Sequence, residues 1–194
     1  ENTGVVEMDI NPQNPNELYA AAWYRTRTAW NFEEGGKTSG IYKSTDGGNT
    51  WNLLPSTSGF EYVQDFLIDN NGNFYASLRN LASSNRGVMR STDRGATWVQ
   101  VLGATLPGFV TGRAADLELA ANGDVFASLG ILGRSVVLKS SFATHGVNTG
   151  ALGNWTDITP VTPTVTQRTE IVLAPSDAQR VYLLMQDSAT SQVL

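Results

Sequence analysis

The sequence predicts an all-β fold, a β-propeller of four-stranded antiparallel blades with only about 3.5 blades present. Three observations predict it. Ser44-Thr45-Asp46-Gly47-Gly48-Asn49-Thr50-Trp51 and Ser91-Thr92-Asp93-Arg94-Gly95-Ala96-Thr97-Trp98 share the pattern S-T-D-x-G-x-T-W at a spacing of 47 residues, within the range of propeller and solenoid repeats. A second landmark recurs four times, as Glu17-Leu18-Tyr19-Ala20, Asn73-Phe74-Tyr75-Ala76, Asp124-Val125-Phe126-Ala127 and Arg180-Val181-Tyr182-Leu183. The stretches between are short, β-branched or aromatic, and none carries a helical period.

Each unit is expected to contribute strands A to D, in the first unit at about 5–10, 18–24, 40–44 and 50–54. Turn signals separate A from B: Asn11-Pro12, Asn70-Asn71-Gly72, Asn122-Gly123 and Pro175-Ser176. Asn-Gly between apolar runs is a strong hairpin cue because both residues accept positive φ. Strand C ends in an apolar pair, a base and a serine, at Ile41-Tyr42-Lys43, Val88-Met89-Arg90 and Val137-Leu138-Lys139. The third serine, Ser140, opens a degenerate corner with an insertion over 142–153, after which Asn154-Trp155-Thr156-Asp157 resumes the outgoing strand. The blades are expected at about 4–55, 61–102, 113–160 and, in part, 168–194, as one partial propeller. Closed propellers have four to eight blades, so this segment is not expected to close alone.

Composition narrows the function. With 41% hydrophobic and 16% charged residues, the 194-residue chain can bury a substantial core. A net charge of -5 opposes nonspecific nucleic-acid binding. The absence of cysteine removes disulfides, thiolate zinc sites and thiol nucleophiles. A single histidine, His145, falls in the insertion and removes multi-histidine metal sites. No apolar run is long enough to span a bilayer, and Glu1 to Gly4 show no signal-peptide pattern. No cofactor, metal or membrane insertion is expected.

The S-T-D-x-G-x-T-W copies resemble the Asp-box, or bacterial neuraminidase, repeats of sialidases, xyloglucanase-type endoglucanases, sortilin-type receptors and a photosystem II assembly factor. Residues 11–51, with Tyr19-Ala20-Ala21-Ala22-Trp23 and Ser39-Gly40-Ile41-Tyr42-Lys43-Ser44, are similar to secreted bacterial sortilin-like or glycosyl-hydrolase-type repeat proteins. The resemblance covers nearly the whole chain and implies a secreted, extracellular, periplasmic or cell-surface protein. It specifies the fold and leaves the activity open. A mechanical role suits the motif itself: Ser44, Asp46, Gly48, Thr50 and Trp51, and likewise Ser91, Asp93, Gly95, Thr97 and Trp98, hold the C–D corner. In that role the carboxylate accepts backbone N–H bonds and Trp packs between sheets. One Asp per turn is too few oxygens for calcium.

A ligand is expected on the face formed by the B–C and D–A connections. Seven of the ten arginines fall there: Arg25, Arg27, Arg79, Arg86, Arg113, Arg134 and Arg168. Their planar forks suit an anionic ligand. Tyr19 to Ser44 spans 25 residues, against 16 from Tyr75 to Ser91, so the first B–C loop is enlarged and carries Trp23, Arg25, Arg27, Trp30 and Phe32. The connection over 103–112 is expected to extend this face. Arg25, Arg27, Trp30, Arg79, Arg113 and Arg134 are the candidate ligand-binding residues. These point to a noncatalytic recognition or scaffold propeller of a larger protein, binding a protein or glycan and packing against the remaining blades of the same parent chain. The alternative is part of the catalytic propeller of a glycoside hydrolase, sialidase- or xyloglucanase-like. No Tyr and Glu nucleophile pair is marked for the sialidase form. Asp65 and Asp116, on inner strands, are the carboxylate candidates for the xyloglucanase form.

Overall fold

The computed structural model describes residues 3–36, 38–79, 86–103, 112–131, 133–162, 164–191 and 193. Blade 1 consists of β1 (Thr3–Ile10), β2 (Leu18–Arg27), β4 (Gly40–Ser44) and β5 (Asn52–Leu53) in spatial order. It carries an additional strand, β3 (Phe32–Glu34), paired with the far end of β2. The enlarged first B–C connection is therefore a twisted ribbon rather than a loop, and this blade has five strands. Blade 2 is β6 (Val63–Ile68), β7 (Phe74–Arg79), β8 (Arg86–Ser91) and β9 (Val99–Leu102); blade 3 is β10 (Ala114–Leu119), β11 (Val125–Leu129), β12 (Val136–Ser140) and β13 (Thr156–Asp157). Blade 4 holds β14 (Thr166–Ala174) and β15 (Asp177–Asp187), and Val193 bridges back to Gln186 where a third strand would start. All pairings are antiparallel.

The first strands β1, β6, β10 and β14 pack side by side as the inner edge of an incomplete β-propeller. Strand alternation sends successive side chains toward opposite neighbouring blades. Three cores result. Tyr19, Ala21 and Ile41 of blade 1 meet Phe66, Phe74 and Met89 of blade 2. Tyr75 and Val88 of blade 2 meet Leu117, Val125 and Leu138 of blade 3. Phe126 and Val137 of blade 3 meet Ile171 of blade 4. Rings in the first core pack edge-on, Tyr19 against Phe74 at 4.6 Å between centroids, the arrangement favoured by the aromatic quadrupole.

The C–D corners of blades 1 and 2 share one carboxylate lattice. Asp46 accepts from the Thr50 amide at 2.9 Å, the Thr50 hydroxyl at 2.6 Å and the Ser44 hydroxyl at 2.7 Å. Asp93 does the same with Thr97 and Ser91. Ser44 in turn accepts from the Gly48 amide, and the Trp51 indole donates to the Gly48 carbonyl. The corner of blade 3 keeps half of this lattice despite its insertion. Gly150 donates to the Ser140 hydroxyl at 2.8 Å and accepts from the Trp155 indole at 3.2 Å, so Gly150 takes the place of Gly48. The inserted residues form one helical turn, α1 (Phe142–His145), and a 3₁₀ turn over Gly146–Asn148. His145 thus ends a short helix and not a plain loop. The insertion is docked on blade 2: the Tyr75 hydroxyl donates to the Thr149 carbonyl at 2.8 Å and the Arg90 guanidinium to the Val147 carbonyl at 2.9 Å.

The base before each corner serine has a partner on strand B or at the residue just before it. Lys43 pairs with Glu17 at 3.1 Å, Lys139 with Asp124 at 2.7 Å, and Arg90 donates to the Tyr75 hydroxyl.

Candidate functional site: a groove with a cationic and an acidic end

Each inner strand carries a β-bulge near its start, between Val5 and Glu7, Val63 and Asp65, Ala114 and Asp116, and Thr166 and Thr169. Bulges re-aim the side chains that follow them. Here they precede Glu7, Asp65, Asp116 and Glu170, which occupy the same position in the four blades, three residues before Ile10, Ile68, Leu119 and Leu173. Together with Asp9 and Glu118 these carboxylates line a cavity of about 440 Å³ on the inner strands.

Two of these acids clamp neighbouring blades. Asp65 accepts from the Leu117 amide of blade 3 at 2.7 Å, and Asp116 from the Ile171 amide of blade 4 at 2.5 Å. Asp9 does the equivalent job one pair along, accepting from the Ile68 amide of blade 2 at 2.6 Å. Burial raises the proton affinity of Asp65, and the adjacent charge of Asp116 raises it further. Burial also raises Asp116 and Asp9. Glu118 is pushed up to about 7 by burial, then by Asp116 and Glu7. The charge of Asp116 acts on Asp65 from the next inner strand. Asp65 and Asp116 were expected on inner strands; the recurrence of an acid three positions before Ile10, Ile68, Leu119 and Leu173 is the signal in the sequence that marks Glu7 and Glu170 as their counterparts.

A second cavity of about 440 Å³ adjoins the first, and Gln64 and Arg168 line both. Its other walls include Trp23, Arg25, Phe32, Glu34 and Arg79. Arg25 lies 5.9 Å over the Trp23 ring and 5.3 Å over Phe32, while Arg79 lies 5.0 Å over Trp23 and 5.4 Å over Tyr62. Register explains the convergence. Arg25 pairs with Glu34 across the β2–β3 ribbon, which brings Phe32 and Glu34 back over the groove. Arg79 ends β7 and forms an ion pair with Glu34 at 2.9 Å. Arg168 pairs with Glu170 at 2.5 Å. Arg25 is exposed and forms no ion pair among the described residues. Trp23 and Gln64 line this cavity, and their Nε1 and Nε2 are buried with no hydrogen-bond partner among the described residues.

The structure thus brings Arg25 and Arg79 together and separates the other expected candidates from them. Arg27 is exposed on the ribbon opposite Phe32, and Trp30 is 97% exposed near its tip; neither lines the groove. Arg113 precedes β10, and its Nε is buried with no partner among the described residues. Arg134 lines a separate cleft of about 680 Å³ with Asp157 and Thr159. Residues 104–111, expected to extend the face, lie outside the described residues. Gln64, Glu34 and the bridging role of Arg168 were not read from sequence, because only the blade packing places them side by side. Among the described residues no group of three or more His, Cys, Asp or Glu is arranged to hold a metal ion, and no helix is long and apolar enough to cross a membrane.

No protein-family model and no curated protein matches the chain. Solved structures do. An ancestral GH74 enzyme superposes with a TM-score of 0.61 at 20% identity over 97% of this chain and 24% of its own. The GH74 xyloglucanase from Xanthomonas campestris gives 0.55 at 14% identity over 98% and 36%. PorZ, a surface component of the type-IX secretion system of Porphyromonas gingivalis, gives 0.52 at 12% over 98% and 33%. These are propeller proteins, and at such identities the likeness establishes the fold. The chain spans about a quarter to a third of their lengths.

Proposed function

We propose that the chain is a noncatalytic recognition propeller, part of a larger secreted or cell-surface protein, that binds a protein or glycan through the face bearing the B–C and D–A connections. The observation that carries this reading is the convergence of Arg25, Arg79 and Arg168 with Trp23 and Phe32 around one cavity. Arg and Trp are the residue types that dominate binding energy at recognition surfaces, and Arg25 has no internal partner to satisfy its charge among the described residues. Likeness to a secretion-system surface component and to glycan-degrading enzymes is compatible with either partner class. The test is binding of the purified chain to defined glycan and peptide arrays, compared with Arg25→Ala and Arg79→Ala variants of unchanged circular dichroism. About tenfold weaker binding is expected, as for loss of a charge-assisted hydrogen bond; undiminished binding would remove this face from consideration.

A glycoside hydrolase is the second reading, favoured by the raised proton affinities of Asp65 and Asp116 and by the GH74 likeness. Their bonds to backbone amides of the neighbouring blades argue for a structural role instead. Release of reducing sugar from xyloglucan, abolished by Asp65→Asn in a protein of unchanged melting temperature, would overturn the noncatalytic reading.

A further inference from the structure

We propose that the outer edge of β15 takes an extended segment of another polypeptide as a third, antiparallel strand, with an acidic side chain of that segment opposite Tyr182 and against Arg180.

The backbone of blade 4 supplies the edge. Blades 1 to 3 each place a third strand, β4, β8 or β12, against their second. Blade 4 is a two-stranded pair, and among the described residues β15 has no strand on its outer side beyond the single antiparallel bridge from Gln186 to Val193. An unpaired strand edge is a template for an incoming strand, and strand addition is a recurring mode of peptide recognition. Arg180, Tyr182 and Leu184 are exposed and alternate along one face of β15.

Charge selects the strand that fits. In the complete blades the third strand sets a base opposite an aromatic ring of the second: Lys43 opposite Tyr19, Arg90 opposite Tyr75 and Lys139 opposite Phe126. The cations lie over those rings at 5.4, 5.8 and 5.4 Å. Two positions before each ring, on the same face, stand Glu17, Asn73 and Asp124. Glu17 and Asp124 form the ion pairs with Lys43 and Lys139.

Register transfers this pattern to blade 4. Leu173 lies opposite Val181, as Leu119 lies opposite Val125 and Ile10 opposite Leu18. Tyr182 is therefore the ring of blade 4, and Arg180 stands where blades 1 and 3 carry the acid. The charge is reversed. The Arg180 side chain is 63% exposed, and its ion pair within the chain is a long one, to Asp177 at 3.7 Å. A third strand that followed the chain's own repeat would set a base against Arg180, and like charges on adjacent strands repel. An incoming Glu or Asp restores the pair with its signs exchanged. Blade 4 thus disfavours the repeat's own third strand and favours an acidic strand from outside the repeat, the combination of attraction and repulsion that gives specificity. This edge is separate from the groove, since no β15 residue lines either groove cavity.

The probe is an end-blocked peptide with the sequence of residues 135–141 carrying Lys139→Glu, titrated into the ¹⁵N-labelled chain; the unaltered peptide and its Lys139→Gln form are the comparators. Amides of Arg180 to Met185 are expected to shift saturably. The Glu peptide should bind at least about fivefold more tightly than the Lys peptide, the scale of an attractive against a repulsive cross-strand pair, with the Gln peptide between them. Arg180→Glu should reverse the order. Arg180→Ala should remove the preference and leave binding of the Gln peptide intact, and Arg25→Ala should change nothing. Absence of shifts along β15, or an order that survives Arg180→Glu, would overturn the proposal while leaving recognition at Arg25 untouched. Shifts of β15 that grow with protein concentration alone, with sedimentation at twice the mass, would assign the edge to a second copy and overturn it too. In the full-length parent protein retained binding of the Glu peptide supports the proposal, and its loss, by showing the edge already covered within that protein, overturns it.

Discussion

At the residue scale, two sets of carboxylates titrate in opposite directions because one is hydrogen-bonded in water and the other is buried among its own kind. Three hydrogen bonds, from the Thr50 hydroxyl, the Thr50 amide and Ser44, hold Asp46 down to about 2, and Thr97 and Ser91 hold Asp93 likewise. A carboxylate whose folded value is depressed adds stability above its ordinary range near 4 and loses it as the pH falls through the folded value. Replacing Asp93 by Ala should therefore lower the melting temperature at pH 5 and make a shrinking difference toward pH 2, followed by thermal circular dichroism. The channel acids behave inversely. Glu118, raised to about 7, and Asp65, raised by burial and Asp116, stay protonated when the unfolded chain has ionised. Their contribution is complete below pH 4 and is lost as the pH climbs through 7 and beyond. The native protein should consequently melt lower at pH 8.5 than at pH 5, and Asp65→Asn should flatten that fall; a melting temperature that rises over the window would contradict the burial assigned to these groups.

At the element scale, the most informative piece is the insertion between β12 and β13. It was legible as a break in the repeat, but its helical turn and its anchor on blade 2 were not, because Tyr75 and Arg90 lie more than fifty residues away and nothing local names them as its partners. Gly150 was equally hidden. It sits at φ 70°, where a Cβ would overlap the Tyr75 ring and where side chains are disfavoured in any case. Tyr75→Phe should cost about 1 kcal/mol by urea denaturation, the usual net worth of one buried hydrogen bond, and Gly150→Val should cost more through strain and overlap. The hairpins, by contrast, could be read in place though not in turn type: Asn71-Gly72 lies between β6 and β7 with Gly72 alone at positive φ, 78°, and Asn122-Gly123 repeats it. Local turn chemistry writes itself into short sequence. The groove does not, since Trp23, Gln64, Arg79 and Arg168 come from three blades, and grouping the arginines by connection put Arg134 with residues whose cavity it does not share.

At the scale of the whole molecule, the open ends are continuous with the packing inside. Val172, Tyr182 and Leu184 of blade 4 are 57%, 55% and 55% exposed, although Leu67 and Tyr75, which hold the first two positions in blade 2, are 8% and 0% exposed. Lysine at Val172 and Leu184 should leave the melting temperature nearly unchanged and reduce binding of a hydrophobic dye, whereas Phe66→Ala, inside the first core, should cost about 3–5 kcal/mol. The same stacking of blades that buries Phe66 gathers one groove from three sheets, and recognition through that groove is the central claim. Its most direct test is a ¹H–¹⁵N spectrum of the labelled chain titrated with the glycan or peptide that binds best on the arrays, in which the Trp23 indole and the Gln64 amide report from residues that line the groove. Saturable shifts of those two signals, with the Trp51 and Trp98 indoles at the C–D corners unmoved, are the predicted result. Shifts confined to Trp51 and Trp98, with Trp23 and Gln64 silent, would contradict it.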